Sequence, residues 1–295
     1  MFALTKIRSF ARWVATATFT VCLASTGGQV ANAGMLHNGW NYAIDSFTDG
    51  FTGNQVGGGV FEFYGMAIQE KSDRIVVALN ANLPLEGFAH SEAAKGSVGW
   101  GDLFFNFSGQ NFNTASANGS LFAVRFAETN DSGAATTGVY KNVTAKSVSL
   151  TNSGFVNLAQ YDNYVATGGG TSSMADLAAT DPYFEREGYA TVLNEIESGN
   201  KVGDISFLNL SDLNTLGLNF DKFGASGSET FGFSFAKSAL PTDSYIANIF
   251  AECANDGIAI ISQAESVPEP GSALGILAFG AFGGVSRLLR KKVSS

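Results

Sequence analysis

The sequence predicts a mainly β fold, an antiparallel β-sandwich or jelly-roll-like domain with a small α-helical insertion. Three observations point there. Short runs alternating apolar and polar residues recur along the chain, each about as long as a strand. Clusters of Gly, Asn, Asp and Ser separate them, and these residues supply the backbone conformations of turns. Phe (25) far outnumbers Trp (3), Gly reaches 35 and Pro only 5, a composition that suits a turn-rich sheet protein. No repeat with a period of about 20–50 residues is present, which argues against a solenoid or propeller.

The elements follow in order. Residues 40–47 (WNYAIDSF) place Trp40, Tyr42 and Ile44 on one side of a first strand. Residues 59–83 read as a hairpin whose two apolar runs flank the turn Lys71-Ser72-Asp73. The preceding 53-GNQVGGG-59 is a flexible turn; it lacks the Lys-Ser/Thr of a phosphate loop. Strands are expected at 102–109 and 120–128, joined by a polar loop, and again at 138–150. Residues 157–222 change character and read as a helical insertion. Within it, Ser172 or Ser173 caps a helix ended by Asp181-Pro182, Ala190–Glu197 forms a second, and 210–220 a third short turn. Strict alternation of Phe231, Phe233 and Phe235 marks a strand with a core face. Two closing strands, Tyr245–Cys253 and Gly257–Ile261, meet through Ala254-Asn255-Asp256-Gly257.

Both termini carry routing features. Lys6, Arg8 and Arg12 precede an apolar run from Trp13 to Ala24, and Ala31-Asn32-Ala33 offers a cleavage site, so residues 1–33 read as a secretory signal helix. Cleavage is expected between Ala33 and Gly34, by signal peptidase, and Cys22 is then discarded with the leader. At the other end Pro268-Glu269-Pro270 precedes a glycine-rich apolar stretch, 272–286, and the basic residues Arg287, Arg290, Lys291 and Lys292. As a helix those 15 residues reach about 22 Å, short of the ~30 Å hydrocarbon core, so they make a thin transmembrane segment and a poor permanent anchor. The basic tail stays cytoplasmic by the positive-inside rule.

The order Pro-Glu-Pro, short span and basic cluster (267–295) resembles the PEP-CTERM sorting signal that exosortases recognise. That resemblance implies transient inner-membrane insertion, removal of the tail, and delivery to the cell surface or extracellular matrix. The other reading is an ordinary tail anchor behind a coincidental Pro-Glu-Pro linker. The domain between, 34–266, resembles the XDD-type exosortase-dependent surface proteins. Gly39–Phe47, Gly101–Phe107 and Glu252–Gly257 carry that likeness, although Asn255-Asp256-Gly257 stands where the group has Asn-Asp-Asp. This second resemblance implies a surface location and no activity.

Without its two ends the chain holds ten basic against 25 acidic residues, a net charge of −15. Such a body repels nucleic acid and attracts divalent cations. Cys253, its only cysteine, lies among apolar residues and is expected in the core rather than in a disulfide.

Catalytic chemistry is sparse. His37, His90 and Cys253 lie in distant segments without zinc-ligand spacing. No Gly-x-Ser-x-Gly elbow is present. Glu62, Asp102, Glu252 and Asp256 could form the carboxylate pair of a glycan hydrolase, which needs about 5–10 Å between carboxyls; the plainer expectation puts them on the outer face of a sheet. Asp45, Asp49, Asp131 and Asp256 lie in acidic turns that could supply oxygens to a structural calcium ion, though none matches a calcium-loop motif. No other cofactor is expected. The reading is an exported, non-enzymatic surface or matrix protein with a structural or adhesive role, in contact with extracellular polysaccharide. The alternatives are a glycan-binding module stacking sugars on exposed Trp40, Trp100 or Tyr183, and a glycan hydrolase.

Overall fold

The computed structural model describes residues 34–262. The signal helix, the sorting motif, the 272–286 segment and the basic tail lie outside the described residues, as does Ala33. Among the described residues no helix is long and apolar enough to cross a membrane.

In chain order the strands are β1 (Met35–His37), β2 (Trp40–Ile44), β3 (Phe51–Thr52), β4 (Gln55–Val56), β5 (Phe63–Glu70), β6 (Arg74–Ala81), β7 (Phe88–Ala89) and β8 (Ser97–Val98). They continue with β9 (Leu103–Asn106), β10 (Leu121–Arg125), β11 (Gly138–Lys146), β12 (Glu195–Gly203), β13 (Ile205–Leu208), β14 (Glu229–Ala236), β15 (Ile246–Phe250) and β16 (Gly257–Ile261). Three short helices accompany them: α1 (Phe112–Ala117), α2 (Leu158–Thr167) and α3 (Leu210–Thr215). One six-stranded sheet has the order β1-β2-β5-β6-β14-β13 and the other β12-β11-β10-β9-β15-β16. Every pairing in both is antiparallel. The ribbons β3–β4 and β7–β8 stand outside them.

The facing sides of the two sheets share one core. Ile75, Val77, Leu79, Phe233 and Phe235 from the first meet Leu103, Phe105, Val124, Ile249 and Ile260 from the second. The alternate residues do not face water. Val76 and Ala78 pack with Trp40, Tyr42, Leu213 and Phe220 on the outer side of the first sheet. Phe104, Ala123, Tyr140 and Phe250 pack with Phe112, Leu158, Tyr161 and Phe184 on the outer side of the second. The central strands are therefore apolar on both faces, and a carboxylate on or beside them has little access to solvent.

The strands, the 71–73 turn and the inward phenylalanine row agree with the sequence pattern. The 157–222 region differs. Residues 171–181 form no helix, and Glu195–Gly203, expected to open in a helix, is the edge strand β12. α-Helix is confined to α2, where the Asn157 side chain accepts from Gln160 N–H, and to α3, which has a capping box between Asn209 and Asp212. The other helical pieces are single 3-10 turns at Pro182–Phe184, Arg186–Gly188 and Asp221–Phe223. The polar loop after β9 contains α1, capped by Asn111. The last hairpin is shorter in its strands than expected. Phe250 pairs with Gly257, so residues 251–256 form a turn, and that turn carries Glu252 and Asp256 inward.

Candidate functional site: two buried carboxylate clusters

Eight carboxylates are buried among the described residues: Asp45, Asp49, Glu62, Asp102, Asp176, Glu195, Glu252 and Asp256. Arg125 and Arg186 are the buried bases. Glu62, Asp102, Glu252 and Asp256 thus do not lie on an outer face, because both sides of each sheet are covered. Six of the eight, together with half-buried Asp131, fall into two groups, and Glu62 adjoins the first.

The first group forms where β2 ends, β5 begins and the last turn closes. One oxygen each from Asp45, Asp49 and Asp256 lie within 4.8 Å of one another. Asp45 Oδ1 accepts from Ala175 N–H (3.2 Å) and Asp49 Oδ2 from Ser173 N–H (2.6 Å). Asp256 Oδ2 accepts from Phe63 N–H (2.7 Å), and its Oδ1 from Gly257 N–H (2.7 Å) and the Tyr161 hydroxyl (3.3 Å). Glu62 holds the loop in place by accepting from the amides of Asp49 (3.4 Å), Gly50 (3.1 Å) and Gly58 (2.8 Å). Gly50 is required there, since a Cβ would lie 2.5 Å from Glu62 Cα. Asp45 Oδ2 and Asp49 Oδ1 are buried without a hydrogen-bond partner. No Lys, Arg or His donates to any of these four carboxylates among the described residues. Burial pushes Asp45, Asp49 and Asp256 above the ordinary carboxylate range, and the neighbouring negative charges push the same way. Burial raises Glu62 too, against the pull of its three amide donors.

The second group lies beside β9 and the start of β12. Asp102 Oδ2 accepts from Ser132 Oγ (2.6 Å) and Ile196 N–H (2.8 Å). Asn130 Nδ2 donates to Asp102 Oδ1 (3.0 Å) and Glu195 Oε2 (3.1 Å). Glu252 accepts from Asp131 N–H (2.5 Å) and Gly99 N–H (2.6 Å). Arg125 orients Asn130 through Nε (3.0 Å) and ties its other nitrogens to the carbonyls of Ala134 and Glu128. Lys95 pairs with Asp131 at 2.8 Å. Burial, then the adjacent Asp102 charge, pushes the Glu195 pKa well above the ordinary carboxylate range. Burial pushes Glu252 up to about 7. Gly101 lets the chain pass here, where a Cβ would lie 2.4 Å from the Asn194 carbonyl oxygen.

Of the calcium candidates, the fold therefore brings Asp45, Asp49 and Asp256 together and sends Asp131 to the other group. No pattern within the chain signals this convergence; Asp256 follows Asp49 by more than 200 residues. Glu195 carries no sequence signal as a site residue: the pattern around it predicts a helix, whereas it opens the strand β12. His37, His90 and Cys253 belong to no metal-competent group among the described residues. Cys253 is a buried free thiol, as expected, and burial raises its pKa.

The residues expected to stack sugars are not exposed. Trp40, Trp100 and Tyr183 are 0%, 1% and 4% exposed, too little to offer a ring face. Their polar atoms are engaged internally: Trp40 Nε1 donates to Leu216 O (3.0 Å), Trp100 Nε1 to Pro84 O (3.1 Å) and Tyr183 OH to Asn248 Oδ1 (3.0 Å). Trp100 stacks on Phe63 with centroids 4.3 Å apart, between the segments that carry the two carboxylate groups. A surface groove of about 340 Å³, bordered by Asn106, Gln110, Asp181 and Tyr245, contains none of the clustered carboxylates.

Among known proteins, residues 266–291 match the family model described as a PEP-CTERM protein-sorting motif. No curated protein and no solved structure matches the chain. The comparisons do not confirm the XDD-type resemblance of the body, which the segments Gly39–Phe47, Gly101–Phe107 and Glu252–Gly257 carry. Those segments supply Asp45 and Asp256 to the first group and Asp102 and Glu252 to the second.

Proposed function

Because the chain carries a PEP-CTERM sorting motif, which implies export, exosortase processing and cell-surface sorting, we propose that the described domain is a structural or adhesive surface module that performs no covalent chemistry. It would lie at the cell surface or in the extracellular matrix, after a transient membrane stage, against extracellular polysaccharide.

One observation carries this reading. Seven of the eight buried carboxylates accept backbone N–H groups, mostly from segments far away in sequence. A catalytic carboxylate must reach a substrate; these reach the chain itself. They tie loops to strands in a domain whose described cysteine is an unpaired thiol. Carboxylate-to-amide bonds thus occupy the place that disulfides hold in many exported domains.

Three measurements test it. Incubating the mature protein with a polysaccharide panel is expected to release no reducing ends; release that disappears in Glu62→Gln would overturn the non-enzymatic reading. Deleting the gene is expected to alter matrix formation or flocculation, and unchanged surfaces would remove the structural role. Intact mass of the native protein is expected to lack the tail, whereas a mature species retaining residues 271–295 would refute exosortase-type processing.

A further inference from the structure

We propose that Asp45, Asp49 and Asp256 bind one calcium ion, which fastens the exit of β2 to the turn before β16. The spacing fits. Calcium takes oxygen ligands at about 2.4 Å, so ligands on opposite sides of the ion stand about 4.8 Å apart. The three aspartate oxygens lie within that limit.

Spacing alone would describe any acidic cluster. The second observation is the pair of stranded oxygens. Asp45 is 6% and Asp49 0% exposed, yet Asp45 Oδ2 and Asp49 Oδ1 accept no hydrogen bond. A buried polar atom without a partner is costly, and two of them in one cluster of like charges mark the position of a missing positive partner. The protein supplies none: no ion pair reaches Asp45, Asp49, Glu62 or Asp256 among the described residues. In contrast, the opposite oxygens of Asp45 and Asp49 are fixed by the amides of Ala175 and Ser173. Each carboxylate is thereby oriented before any ion arrives. Asp256 is held likewise by Phe63 N–H and Gly257 N–H.

Donor chemistry selects the ion. All three groups offer hard oxygens and no nitrogen or sulfur, which disfavours zinc. Magnesium holds its waters tightly and demands near-octahedral order, whereas this site is buried and built from protein oxygens, a setting suited to calcium.

The test uses mature protein stripped with EDTA and titrated with calcium chloride by calorimetry, with thermal unfolding in parallel. One calcium per chain is expected. At a calcium concentration about 100 times the dissociation constant, Tm is expected to rise by roughly 5–10 °C. Asp49→Asn and Asp256→Asn are each expected to weaken calcium binding at least tenfold. If the three acids merely share protons, wild-type Tm will be the same in calcium and EDTA and no binding heat will appear; that result overturns the proposal. An equal response to magnesium chloride overturns the assignment to calcium. Both readouts come from wild-type protein, so they stand even if a variant fails to fold.

Discussion

The two carboxylate groups begin from the same predicament and resolve it differently. Each gathers several acids against the ends of central strands, where covered sheet faces exclude water. Around Asp102 the protein provides the remedy itself. Asn130, Ser132 and the Ile196 amide donate to the acids, Arg125 steadies Asn130, and Lys95 neutralises Asp131. Around Asp45 backbone amides and the Tyr161 hydroxyl donate, no side-chain base does among the described residues, and two oxygens have no hydrogen-bond partner. Glu195 Oε1 is unpartnered in the second group too, so the difference lies in the counter-charge. Acids beside their own Lys and Arg make a structural crosslink, whereas acids oriented with no base nearby make a receptor for a cation.

The strongest way to break this contrast is Asp102→Ala. It strands the Ile196 amide, the Ser132 hydroxyl and one Asn130 hydrogen bond, each unmatched buried donor costing about 1–3 kcal/mol. A loss of about 3–6 kcal/mol in urea unfolding is expected, equal in calcium and in EDTA. A loss that calcium repairs would mean the second group also takes a cation.

Asp176 offers a control outside both groups. It is buried, its Oδ2 accepts from Ile261 N–H at 2.9 Å, and burial pushes its pKa up to about 7. The sign follows from linkage. Between about 4 and 7 the folded state holds a proton that the unfolded state has released, so stability falls as pH rises through that window. Asp176→Asn keeps the shape without the charge. The variant is expected to match wild type near pH 4 and to exceed it near pH 8 by up to about 4 kcal/mol. Equal stability at both pH values would show that a lone buried carboxylate is tolerated here without a partner, weakening the significance of the stranded oxygens of Asp45 and Asp49.

The strands were legible because alternation and turn chemistry are local. Phe231, Phe233 and Phe235 state their own core face, and Lys71-Ser72-Asp73 states its turn. Two regions misled for physical reasons. Glu195–Gly203 is a mostly exposed edge strand, so it lacks the apolar alternation that marks a strand from sequence. Residues 171–181 have helical composition, but tertiary bonds hold them as a series of turns: Ser173 and Ala175 donate to Asp49 and Asp45, and Asp176 bridges to β16. The acids misled because a two-layer sandwich leaves one face of each sheet wet, whereas helices and loops cover both outer faces here. Asp45, Asp49 and Asp256 were individually suspect as oxygen donors; their meeting depends on which strand ends adjoin, and no spacing in the chain encodes that.

The smallest effect belongs to Lys95, and it tests how much of the second network is essential. Its side chain is 61% exposed, while that of Asp131 is 11% exposed. Burial pulls the Asp131 pKa upward, but the hydrogen bonds from Lys95 and Asn152 and the Lys95 charge outweigh it, leaving a net lowering. A carboxylate lowered in the folded state contributes stability above its unfolded pKa and loses that contribution as pH falls through the folded value. Lys95→Met should therefore cost at most about 1 kcal/mol at pH 7 and low salt. The cost should shrink in 1 M salt and vanish near pH 2. Asp131 would still accept from Asn152 Nδ2 at 2.9 Å, and Glu252 would keep the amides of Gly99 and Asp131. A cost of several kcal/mol that persists in high salt would instead make Lys95 the counter-charge of the whole group. The second group would then depend on a cation as the first does, supplied by a side chain rather than by solution.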